Sequence, residues 1–181
     1  RFWNDGGDRG DLRWVGTEAG NVGETNWSMM PGKGDTPWHM LHYGVEDGDV
    51  WCPGETNTSI RPGWFYHDTE NEHVKSLSKL MDTYYKSVGR NSTLLLNFPI
   101  APNGRIHSND SLRGIAFKKM IDEVFKKDLT KKAKMTHEGD TTIIDFKKPT
   151  AMNRFLVEED IHYGQRVKKF SLKALINGQW Q

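Results

Sequence analysis

Between residues 64 and 98 the spacing of apolar residues changes twice, and this restricts the fold more than any other feature of the chain. Residues 64–67 read as a short strand. Thr69-Glu-Asn-Glu72 has the form of a capping box, in which a hydroxyl and a carboxylate satisfy the free amides of a helix start. Val74, Leu77, Leu80, Met81, Tyr84, Tyr85 and Val88 then recur at helical spacing. Gly89 is placed to end that helix as a C-cap. Ser92-Thr-Leu-Leu-Leu-Asn-Phe98 follows, a continuous apolar run of the kind covered on both faces in a parallel sheet. Strand, helix and strand in this order predict a β-α-β unit. A second helix is expected from about Ser108-Asn-Asp110, with Leu112, Ile115, Ala116, Ile121, Val124 and Phe125 as its apolar set. Alternating strands and helices with polar loops between them point to an α/β barrel.

On either side of this unit the pattern differs. Residues 1–58 are rich in Gly, Asp and Trp and poor in aliphatic periodicity, so they read as loops and short strands, where sites tend to sit on a rigid scaffold. Lys126-Lys-Asp-Leu-Thr-Lys-Lys-Ala-Lys134 is the one dense basic run. No aromatic interleaves it and the net charge of the chain is only +1, so it reads as a solvated helix end and linker, and no nucleic-acid partner is expected. Beyond it short strands are expected at 141–146, 154–159 and 166–175, before an Asn177-Gly178 turn. The break divides the chain into an α/β part, residues 1–134, and an all-β part, residues 135–181.

Several classes of function are disfavoured by what the chain does not contain. Cys52 is the only cysteine, which rules out an intrachain disulfide or a cysteine-based zinc site. No apolar run approaches the roughly 20 residues of a membrane-spanning helix. His39 and His42 are spaced i, i+3, and His67 and His73 bracket the expected helix start, but no carboxylate set completes a metal site. Serine nucleophile elbows, phosphate-cradling loops and dinucleotide fingerprints are all missing, so no cofactor is expected. There is no signal peptide and the chain opens on Arg1, so the natural N-terminus is expected to lie further upstream.

Two segments concentrate the residue types that bind sugars. Trp51-Cys-Pro-Gly-Glu55 and Ser59-Ile-Arg-Pro-Gly-Trp-Phe-Tyr-His67 set a carboxylate, a guanidinium and four aromatic rings within seventeen residues. Asp11-Leu-Arg-Trp-Val-Gly-Thr-Glu18-Ala-Gly20 repeats an Arg, a Trp and a Glu at a Gly-flanked turn. Aromatic faces suit the C–H side of a pyranose, while charged groups read its hydroxyls. Trp14, Trp51 and Trp64 are the candidates for stacking. Arg13 and Arg61 each have the paired donors to bind a hydroxyl or hold a site carboxylate, with bracing of the Pro62-Gly63 turn the alternative for Arg61. Trp27 and Trp38 face either the rest of an oligosaccharide or the core.

These segments resemble the α-L-fucosidases of glycoside hydrolase family 29, in the branch acting on 1,3- and 1,4-linked fucose, over about residues 5–125. The resemblance implies the C-terminal half of a (β/α)8-like barrel in residues 1–134. Val157-Glu-Glu-Asp-Ile161 with Gly164-Gln-Arg-Val-Lys-Lys-Phe-Ser-Leu172 resembles the start of a galactose-binding-like β-sandwich, incomplete in residues 135–181. It further implies an exo-acting retaining enzyme on terminal fucose of oligosaccharides or glycoconjugates, secreted or periplasmic, with a non-catalytic carbohydrate-binding homologue as the alternative. Retention needs two carboxyl groups about 5 Å apart. The family's nucleophile is an Asp in a Trp-Phe-Asp-Gly type segment, expected upstream in the remaining N-terminal half of the same protein; Asp5, Asp8 and Asp11 are poor substitutes. Glu18 matches the acid/base, although Thr17 stands where Asn is more usual, and Glu55 is its rival. A carboxyl beside Trp14 and Val15 is open to desolvation, which would raise its pKa.

Overall fold

The computed structural model describes residues 12–181; Asp5, Asp8 and Asp11 lie outside them. The chain separates into two compact units, the first ending at Asp145 and the second running from Phe146 to Gln181. In chain order the first unit carries β1 (Arg13–Trp14), β2 (Met29–Met30), α1 (Trp38–Tyr43), β3 (Val50–Trp51), β4 (Gly54–Ser59), α2 (Leu77–Lys86), β5 (Ser92–Asn97), α3 (Ser108–Phe125), β6 (Lys134–Glu138) and β7 (Thr141–Asp145). The second carries β8 (Leu175–Ile176) and β9 (Gln179–Trp180).

A three-stranded parallel sheet, ordered β1-β4-β5, organises the first unit. The β-α-β unit is present, but its first strand is β4, not residues 64–67, which form an irregular loop. Gly-Glu-Thr-Asn-Thr-Ser carries no apolar alternation, because both of its faces are polar. Thr56 and Thr58 are buried on one side, while Glu55 and Asn57 lie half-buried on the other. Trp14 pairs with Glu55, and Glu55 pairs in turn with Thr93, so these three sit level across the sheet.

The core lies between this sheet and the helices that follow. Ile60, Leu80, Met81 and Phe117 are buried together, with Val74, Leu77, Tyr84, Leu96, Phe98, Ile121 and Val124 packed around them. The helical period of α2 is as expected, but its ends are not. Ser76 caps it, its hydroxyl accepting from the Lys79 amide at 3.2 Å, while residues 68–70, overlapping the start of the expected capping box at 69–72, form a single 3-10 turn. The left-handed residue after the helix is Asn91, φ 59°, and not Gly89.

Two faces expected to be covered are open. Leu95 of β5 is 45% exposed, because only its α2–α3 side is packed. On α3, Phe117, Ile121 and Val124 turn to the core at spacings of four and three, whereas Leu112 and Ile115 are 65% and 67% exposed. At the start of α3 a charge is buried instead: Asp110 is fully enclosed.

The hairpin β6–β7 pairs Lys134 with Asp145, as the expected strand at 141–146 requires, and lies within the first unit. In the second unit, residues 154–159 and 166–174 are not strands. Val167, Phe170 and Leu172 are exposed, so the alternation that marks a strand has no sheet partner here. The Glu159 carboxylate instead accepts the Arg166 and Val167 amides at 2.8 and 3.1 Å. The Asn177-Gly178 turn does join β8 to β9. Both residues have positive φ, 52° and 79°, as a type I′ hairpin turn demands.

Candidate active site

At the C-terminal end of β1 the backbone leaves the sheet for four residues. The Val15 amide donates to the Glu55 carbonyl at 3.2 Å, and the chain rejoins β4 only where Gly20 donates to Asn57 at 3.0 Å. Residues 16–19 form the excursion between these bonds, and it carries Glu18. Glycines at both ends make it possible. Gly16 and Gly20 have φ of +82° and +71°, and a Cβ on Gly20 would lie 2.9 Å from the Thr58 and Thr83 methyls.

Glu18 is exposed, and its carboxylate accepts a 2.7 Å hydrogen bond from the Trp64 indole. Trp64 follows β4 and is itself anchored: the Asn97 amide group at the end of β5 donates to its carbonyl at 3.0 Å and to the Ser59 hydroxyl at 3.1 Å. Glu18, from the excursion after β1, thus meets Trp64 beside the C-terminal ends of β4 and β5, marked by Ser59 and Asn97. The desolvation expected from Trp14 and Val15 is not what surrounds Glu18. Glu18 itself is exposed although Val15 is fully buried, and Trp14 donates its indole hydrogen to Asn57 at 3.1 Å.

Glu55 occupies the opposite end of the same strand. It is the second residue of β4, level with Trp14, so about 13 Å of strand separates it from Ser59. Trp51 lies beyond even that end, paired with Met29 in the separate β2–β3 ladder and 41% exposed. Among the described residues the structure therefore joins Glu18 with Trp64, places Trp14 level with Glu55, and leaves Trp51 apart from both.

The two arginines correct the expectation that they read sugar hydroxyls. Each is fully buried, and its donors are spent inside the protein. Arg13 donates to the carbonyls of Leu41 at 3.0 Å and Cys52 at 2.7 Å, and to the side chain of Asn26. Burial pushes its pKa down to about 10, which still leaves it charged near neutral pH. Arg61 pairs with Asp110 at 2.8 Å, donates to the His67 carbonyl at 3.0 Å and the Asn71 side chain at 2.9 Å, and lies over the Tyr66 ring at 4.7 Å. It ties the loop after β4 to the start of α3, which is the bracing alternative in stronger form.

Sequence reasoning missed Asn57, Asn97 and Lys75. The first two are short amides at strand positions, and only their place in the register shows that they hold Trp14 and Trp64. Lys75 donates to the Ser59 carbonyl and lies 3.4 Å from that of Arg61, tying down the loop behind Trp64. Burial, with the charge of Lys79 second, holds its amine below the ordinary lysine range. Trp27 is core, 8% exposed, whereas Trp38 is 56% exposed. Among the described residues no three His, Cys, Asp or Glu side chains are grouped to hold a metal, and no helix is long and apolar enough to cross a membrane.

No family model matches the chain. Alpha-L-fucosidase 1 of Arabidopsis thaliana is 32% identical to it over 208 residues, an overlap covering 94% of this chain and 41% of the plant protein. A crystal structure of a glycoside hydrolase 29 family member from an unknown rumen bacterium is 81% identical, with a TM-score of 0.94 over 99% of this chain and 32% of that one. A Ruminococcus gnavus GH29 fucosidase solved in complex with fucose is 31% identical, with a TM-score of 0.63 over 70% of this chain and 26% of that one. The chain therefore spans well under half the length of each of these three proteins.

Proposed function

The chain belongs to glycoside hydrolase family 29, and from that premise we propose that it is the C-terminal part of the catalytic (β/α)8 barrel of an α-L-fucosidase, with the first part of a β-sandwich after it. The enzyme removes terminal fucose, α-1,3- or α-1,4-linked, from oligosaccharides or glycoconjugates with retention of configuration. Glu18 is its general acid/base. The observation that supports this best is the Trp64–Glu18 hydrogen bond, which holds the carboxylate beside the C-terminal ends of β4 and β5. Catalytic groups of α/β barrels gather at the C-terminal ends of the strands, and Glu55 lies at the other end.

The chemistry divides between this chain and the part of the protein before it. An Asp supplied from upstream attacks C1 of fucose while Glu18 gives its proton to the departing glycosidic oxygen. In the second step Glu18 takes a proton from the water that attacks the fucosyl ester, which frees the Asp and releases fucose with its original configuration. The Trp64 indole occupies one Glu18 oxygen and fixes the plane of the carboxyl group, leaving the other oxygen to exchange the proton. Glu55, deeper in the sheet, then reads a hydroxyl of the fucose or of the aglycone.

The test is fucose release from a Lewis-type trisaccharide, with the anomer first formed identified by NMR. The full-length protein should release α-fucose, and residues 1–181 alone should release none. Comparable release by residues 1–181 alone would overturn the division of the site. Inertness of the full-length protein on every α-fucoside, with sugar binding intact, would make it a carbohydrate-binding homologue.

A further inference from the structure

We infer that Trp38 is the platform on which the departing sugar stacks, and so determines which fucosides the enzyme prefers. This rests on the reading of Glu18 given above. Two successive carbonyls at the end of β1 hold α1 in place. Val15 accepts from Nδ1 of His42 at 3.3 Å, and Gly16 accepts from Nε1 of Trp38 at 3.3 Å. The His42 ring is buried and lies parallel to the indole, with centroids 4.9 Å apart and planes 12° apart. One face of Trp38 is thus backed by protein and its Nε1 edge is fixed, yet 56% of the residue is open to solvent.

The seat of that ring is built into the loop that carries Glu18. Gly16 has φ +82°, and a Cβ there would fall 2.8 Å from Cδ1 of Trp38. The indole therefore rests on the bare backbone of the turn, two residues from the acid/base. What sets Trp38 apart from the other exposed apolar side chains is that its ring is rigidly backed and seated on the loop of Glu18. The chemistry of Glu18 says which part of the substrate meets it. An acid/base stands beside the oxygen of the leaving group, so a surface continuing outward from it on the rim contacts the sugar that leaves and not the fucose. The C–H face of that sugar, flat and apolar, matches the open indole face. Trp64 holds Glu18 by its N–H, and Trp38 receives the leaving group.

Two substrates separate this role from any other. Both are fucosides whose alkoxide leaving group needs protonation by Glu18, but methyl α-L-fucoside has no second sugar to stack, whereas a Lewis-type trisaccharide does. In the full-length protein, Trp38→Ala should lower kcat/KM on the trisaccharide about tenfold while that on the methyl fucoside stays within about twofold, and Trp38→Phe should keep most of the activity on both. If Trp38→Ala does not fold, Trp38→Leu, apolar but without a ring face, should show the same split. Equal losses on both substrates would mean that Trp38 merely supports the Glu18 loop. Unchanged trisaccharide kinetics would mean that it touches nothing. Either result overturns the inference while leaving the fucosidase reading intact. An unmutated protein that cleaves neither substrate would refute that reading and this one with it.

Discussion

Residues 13–18 and 51–64 are built from the same three residue types, and the structure uses them in opposite order. In the first segment Arg and Trp lie on the strand and Glu18 follows it, so the carboxylate reaches the rim. In the second Glu55 lies near the start of the strand and Arg61 and Trp64 follow it, so the carboxylate stays at the far end and the indole reaches the rim. The two segments contribute one member each to the Glu18–Trp64 pair. What a side chain meets is decided by its place along the strand, and composition does not reveal that place. Only the arginines behave alike, since both are internal braces wherever they fall.

The largest effect should come from the stronger brace. Arg61→Ala in the full-length protein leaves Asp110 charged and buried, and should destabilise it by about 3–5 kcal/mol in chemical denaturation. Arg13→Ala strands two carbonyls and an amide but no charge, so roughly 2–3 kcal/mol is expected. An Arg13 variant that stays stable and loses sugar binding would break the likeness between the two arginines. Gly16→Ala tests the excursion that delivers Glu18. Strained φ and the collision with Trp38 should together cost about 1–3 kcal/mol of stability and lower activity by displacing the loop. A variant as active and stable as the parent would show that the loop can be rebuilt. The smallest change is Trp64→Phe, which keeps the ring and removes the hydrogen bond to Glu18. It should lower kcat on unactivated fucosides by on the order of tenfold and leave thermal stability almost unchanged.

How much of this was legible in the sequence varies by element. The helices α2 and α3 were, because Leu77, Leu80, Met81 and Tyr84, like Ile121 and Val124, repeat at helical spacing, although Phe117, the most buried apolar residue of α3, was not in the expected set. Their limits were not, since a capping box at residues 69–72 and a hydroxyl at Ser76 compete for one helix start, and only packing of the preceding turn chooses between them. The central strand β4 was invisible as a strand. Its one face carries the half-buried Glu55 and Asn57 and its other buries two threonines, so it has no hydrophobic alternation to detect. The strand β5 showed itself as an apolar run, but that pattern says nothing about which face finds a partner, and Leu95 does not. The burial of both arginines was equally hidden, because a charged residue is enclosed only when distant carbonyls and carboxylates come to meet it. The candidate acid/base was found by resemblance. Its partner Trp64 lies 46 residues away and was joined to it only by the fold.

The central claim is that Glu18, not Glu55, exchanges the proton, and the most direct measurement compares Glu18→Gln and Glu55→Gln on two substrates with and without azide. In the full-length protein Glu18→Gln should lose turnover of the trisaccharide by about 10²–10⁴-fold while an aryl fucoside with a good leaving group is still cleaved. Azide should then accelerate the aryl reaction and yield a fucosyl azide, because the anion replaces the water that Glu18 would activate. Glu55→Gln should weaken both substrates in parallel and show no response to azide, as the loss of a positioning contact does. Selective loss with azide rescue at Glu55, and parallel loss at Glu18, would contradict the account and place the acid/base at the other end of β4.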